Sequence, residues 1–228
     1  MLLLTLIGLF AATPLVDAVK QGDVQAVRSL IKSGADVRAP EGDGATALHW
    51  AAHRDSVDLV RLLLDAGARA DVANDLGVTP LHLAAANGNP TTMRLLLDKR
   101  ANVNAASEAG VTPLMEAARS GSVDAVRLLL AHGANVNAKE TVRGQTALMW
   151  AVSRQHPDIV KVLLENHADV RARTGTRQVM AMLDRGPRRA VKNSAQDAKR
   201  SSGRFDKACS TMPSNSPAQP GKIFRNGE

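Results

Sequence analysis

The feature that most constrains this chain is a unit that returns every 33 residues. Thr13, Thr46, Thr79, Thr112 and Thr146 open the segments TPLVDAV, TALHWAA, TPLHLAA, TPLMEAA and TALMWAV, at steps of 33, 33, 33 and 34. A second anchor keeps the same register: Leu30, Leu63, Leu96, Leu129 and Leu163, in the leucine-rich stretch of each unit. The one extra residue falls between Asn137 and Gly144, where a loop absorbs it. A fixed period of this length is the mark of a stacked-repeat architecture, in which each unit buries its apolar face only against its neighbours.

One unit can be read residue by residue. Thr followed by Pro or Ala is a helix N-cap and a first helical position. The Leu and Ala residues that follow make a slim helix, one that a neighbour can approach closely. A turn slot comes next, held by Gly22, Asp55, Gly88, Gly121 and Gln155, in part residues that tolerate turns. In the second helix Val123, Val126, Leu129 and Leu130 share one face. That helix stops at Gly34, Gly67 and Gly133, with Arg100 and His167 at the same place in two units. A polar, extended segment then turns back to the next threonine.

Period and motif together resemble the ankyrin-repeat family, whose T-P-L-H-x-A signature is met best at Thr79, Pro80, Leu81, His82 and Ala84. The resemblance covers roughly residues 13–172. It implies an all-α solenoid of about five helix-turn-helix units with projecting β-hairpin-like loops, and in style it is similar to bacterial, secreted members with a truncated first repeat. It also implies that the histidine of TPLH ties its helix to a neighbouring loop.

Composition and charge divide the chain. There is no Tyr, and only three Phe and two Trp, so Leu, Ala and Val must build the core. The formal net charge of +7 sits almost wholly at one end. Residues 1–172 carry 17 basic against 18 acidic side chains, and residues 173–228 carry 12 against 4. That end, from Arg173, is expected to be a mostly disordered tail with a candidate short helix at 178–184, because its composition cannot offset the entropy of folding. A sixth unit should start near residue 179, and no threonine start or leucine run is there. A tail that binds acidic surfaces and a reading-frame change that replaced a repeat both fit. The single cysteine, Cys209, excludes an internal disulfide.

The leader, residues 1–12, is apolar but too short for a stable membrane span. It fits the core of a secretory signal without the basic residues that usually precede one. Secretion or a periplasmic location follows if it is a signal, and a cytoplasmic one otherwise. Cleavage after Ala18 would remove half of the first helix of the stack, so any processing should fall near Ala11 or Ala12.

Chemistry is hard to find. His49 and His53 have the i, i+4 spacing of a zinc pair but no evident third ligand. Trp50 and Trp150 occupy one packing slot in two units. No nucleophile has a partnered base, and no phosphate-cradling loop appears. The expectation is a non-enzyme with no cofactor and no metal, monomeric, binding a protein partner.

Transferring the family's variable positions gives candidate partner-binding residues. Ahead of the threonines stand Val78, Val111 and Gln145. At the ends of the first helices are His53, Arg54, Asn87, Arg119, Ser120 and Arg154. At the finger tips are Asp43, Asp75, Leu76, Glu108, Val142 and Arg143. Leu76, Val78, Val111 and Val142 suggest an apolar stripe flanked by arginines. The function expected is a protein-interaction scaffold acting through the concave face. The alternative is nucleic-acid or acidic-surface binding through the basic tail, and a third option is self-association.

Overall fold

A computed structural model describes residues 14–175. The leader at 1–12, Thr13, the candidate helix at 178–184 and the tail beyond Gly175, with Cys209, lie outside the described residues. Within them are ten helices: α1 (Pro14–Gln21), α2 (Val24–Lys32), α3 (Ala47–His53), α4 (Val57–Asp65), α5 (Pro80–Asn87), α6 (Pro90–Asp98), α7 (Pro113–Ser120), α8 (Val123–Ala131), α9 (Ala147–Ser153) and α10 (Pro157–Glu165). Each has seven to nine residues, too few to be stable alone in water. Stacking must hold them.

The sequence provides the stacking surface. Leu48, Leu81, Leu114 and Leu148 repeat down the first helices, and Leu63, Leu96, Leu129 and Leu163 repeat down the second. All are buried, seven of the eight with no more than 1% of their surface exposed. Between neighbouring first helices the contact is made by alanines, Ala51, Ala52, Ala84, Ala85, Ala117, Ala118 and Ala151, all buried. With so little side chain between them, first helices meet over more residues than second helices do.

Helix starts and stops follow the expected chemistry. Thr46, Thr79, Thr112 and Thr146 are N-caps in extended conformation. The turn slot is left-handed in every unit, including Asp55 (φ 57°) and Gln155 (φ 59°). So is the residue that follows the C-cap of each second helix, including Arg100 (φ 64°) and His167 (φ 66°).

The projecting loops are hairpin turns, each closed by a backbone bond at its base. The N–H groups of Glu41, Asn74, Ser107 and Glu140 donate to the carbonyls of Ala45, Val78, Val111 and Gln145 at 2.7–3.0 Å. The fingers also bond to each other. Asp75 N–H donates to Asp43 O, Glu108 to Leu76 O, Thr141 to Ala109 O and Gly175 to Arg143 O, at 2.7–3.0 Å. This row leaves no room at Gly77 (φ 72°), where a Cβ would come within 3.0 Å of the backbone at Ser107 and Glu108.

Candidate functional site

The face made by finger loops and first helices is held in place by a histidine clamp. In the second unit, Thr46 N–H donates to His49 Nδ1 (3.1 Å), and Thr46 Oγ1 lies 3.0 Å from the same nitrogen. With Nδ1 accepting, the ring proton is on Nε2, which donates to Val78 O of the next finger at 3.0 Å. His82 repeats the clamp with Thr79 and Val111 O, at 3.1 Å and 2.9 Å. Burial pushes both imidazoles below their ordinary pKa, so they are neutral. Both ring nitrogens of His49 are thus committed to the fold, and the i, i+4 pair with His53 has no nitrogen to spare on that side. No group of three or more His, Cys, Asp or Glu among the described residues is placed to hold a metal ion. No helix among them is long and apolar enough to cross a membrane.

In the fourth and fifth units the clamp position holds Met115 and Met149. Met supplies neither the Nε2–H donor nor the Nδ1 acceptor, and Thr112 Oγ1 is buried with no hydrogen-bond partner among the described residues.

Against this frame the candidate residues sort into three groups. Val78 and Val111 are half-buried. They line a groove of about 440 Å³ together with His53, Asn87 and Arg119, and with Leu83, Ala86 and Glu116. Leu76 and Val142 stand apart on finger tips, 61% and 59% exposed. The expected single apolar stripe is therefore split between the groove, which Val78 and Val111 line, and the exposed tips that carry Leu76 and Val142.

A second group turns its polar atoms toward the protein. Arg54 donates to Lys20 O at 2.6 Å, and Asn87 Nδ2 donates to Ala52 O and His53 O at 2.9 and 3.0 Å. Both cap the carbonyl end of the first helix in the preceding unit, which carries the negative end of the helix dipole. Ser120 Oγ donates to Ala117 O, and Asp43 Oδ1 accepts from Ala45 N–H within its own finger.

The third group is outward and charged. Asp75 and Glu108 are exposed on the middle fingers. Arg119 pairs with Glu116 at 2.6 Å. With Arg143, Gln145, Trp150, Ser153 and Arg154 it lines a separate depression of about 290 Å³. Acidic tips on the middle fingers and arginines toward the fifth unit give the face a charge gradient.

Leu83, Glu116 and Trp150 also form walls of these hollows. They share one slot, four residues after the threonine, and it reads Trp50, Leu83, Glu116, Trp150. That variation is visible in the sequence, but repeat packing masks it.

A search of curated proteins finds no match. The family model described as Ankyrin repeats (3 copies) matches residues 15–107 and 104–174. Ankyrin repeats are generic modules of protein–protein interaction, and proteins built from them are typically non-enzymatic scaffolds. Stacked helix pairs, hairpin fingers and that match over most of its length agree: the chain belongs to the ankyrin-repeat family.

Proposed function

We propose that the chain is an interaction scaffold that docks a protein partner along its first-helix and finger face. The observation that supports this most is the groove of about 440 Å³ at the third and fourth units. Its lining joins apolar Val78, Leu83, Ala86 and Val111 to polar side chains that include His53, Asn87, Glu116 and Arg119. A core of apolar contact with a polar margin is what a specific protein interface requires. The positions that build it change from unit to unit, whereas the leucine and alanine ladders beneath do not. A solenoid needs the same core in every layer, and packing sets no such demand on the groove.

The test is a pull-down from the native source with wild type and the double variant Val78→Asp, Val111→Asp, whose helical circular dichroism should equal that of wild type. Carboxylates in the groove should abolish recovery of the partner. Equal recovery by both proteins would move the function to another surface, the basic tail being the alternative.

A further inference from the structure

The tryptophan slot is filled twice, and the two copies differ in one respect. In the second unit Trp50 Nε1–H donates to Glu41 Oε2 at 2.5 Å, and Lys20 Nζ donates to Glu41 Oε1 at 2.6 Å. The same ammonium lies 4.4 Å from the centre of the indole ring. Cation, carboxylate and indole form one closed set.

Each member has a counterpart three repeats on. Lys20 stands 30 residues before Trp50, and Arg119 stands 31 before Trp150, across the one extra residue. Glu41 opens its finger by donating its N–H to Ala45 O, and Glu140 does the same to Gln145 O. The carboxylate, however, has been drawn away. The fifth unit's finger is the longer one, and the buried Glu140 fills it, accepting from the N–H groups of Val142 (2.6 Å), Arg143 (2.7 Å) and Gln145 (3.0 Å). Trp150 Nε1 is closed from solvent with no hydrogen-bond partner among the described residues, an unfavourable condition for a donor. The depression beside it is walled by Arg119, Arg143 and Arg154. No ion pair among the described residues engages Arg143 or Arg154.

We infer that this depression receives a carboxylate side chain from an acidic segment of a protein partner, seated between Arg119 and Trp150 as Glu41 is seated between Lys20 and Trp50. The inference rests on the reading of this face as a docking face and names the partner's chemistry at its fifth-unit end. Arginine forks suit carboxylates and phosphates alike. The carboxylate is favoured because the protein itself seats one in the equivalent slot. A nucleic-acid backbone laid along the face would also meet Asp75 and Glu108 on the neighbouring fingers, where like charges repel. Since the indole N–H is shut off from water, occupation requires side chains at the pocket wall to rotate.

The full chain has two tryptophans, so ¹⁵N NMR gives two indole N–H resonances, assigned with Trp50→Phe. Hexaglutamate peptide should shift the Trp150 resonance saturably and leave Trp50 in place, and hexaglutamine should shift neither. Arg143→Gln with Arg154→Gln should weaken the hexaglutamate response about tenfold or more without moving the Trp50 resonance. An unmoved Trp150 resonance, or equal affinity in the double variant, overturns the inference. So does a tighter response to oligothymidylate that the same variant abolishes, which would make the occupant a nucleic acid. The two readings fail separately. If the arginine double variant recovers the native partner fully while Val78→Asp, Val111→Asp does not, the docking face stands and the carboxylate seat falls.

Discussion

Replacing His82 by Met puts into the third unit what the fourth already carries at Met115. Side-chain volume is nearly kept, so the cost comes from the clamp. The Nε2–H bond to Val111 O is lost, about 1 kcal/mol for a buried neutral pair. Val111 O keeps the N–H of Ser107 at 3.0 Å, so it is not orphaned. Thr79 N–H, which donates to His82 Nδ1, loses that acceptor in a buried site, a further cost of about 1–3 kcal/mol. The variant should be about 2–4 kcal/mol less stable by urea denaturation near pH 7.5. Acid sharpens the test. Both clamp histidines are held below the ordinary value of 6.5 by burial. The unfolded chain therefore takes up protons at a pH where the folded protein does not, and stability falls as pH falls. The contribution is complete above about 6.5 and is lost progressively from there down toward the lowered folded values. Wild type should lose stability between pH 7 and 5, and His82→Met should lose less over the same span. Equal stability of the two proteins near pH 7.5, or parallel pH profiles, would refute the clamp as an energetic element.

Leu96→Ala opens a cavity between layers at a fully buried site and should cost about 2–5 kcal/mol, and an unchanged melting temperature would contradict the layer assignment. Arg100→Gly should stabilise the protein by about 1 kcal/mol, because Arg100 is exposed and holds a left-handed conformation that glycine adopts freely. Thermal melts of the two variants beside wild type check both.

The stack was legible because each layer repeats one local pattern. Thr46 and Thr79 announce their helices, and glycine or its substitute marks each stop, including the left-handed Arg100 and His167. The face was legible only as a set of positions. That Arg54 and Asn87 cap the preceding helix depends on bonds 34 and 35 residues apart, and no local pattern carries the phase between two neighbouring units. Glu140 shows the same limit. Its inward turn goes with one extra loop residue, and in sequence it is simply a glutamate at the finger position that Glu41 holds three repeats earlier.

The uneven distribution of the histidine clamp makes the array a chain of links of unequal strength. In a nearest-neighbour description each junction contributes its own coupling to the cooperativity of the whole. The junctions between units two and three and between units three and four are each cross-tied by a histidine, while the one between units four and five has Met115 in that position. Cooperativity should therefore be tighter in the middle than toward the fifth unit. Amide hydrogens of α9 and α10 should exchange ahead of those of α5 and α6, through openings smaller than global unfolding. This unclamped junction is also the one the arginine-lined depression straddles, so a ligand gripping both sides would tighten a slack link and raise the melting temperature with its concentration.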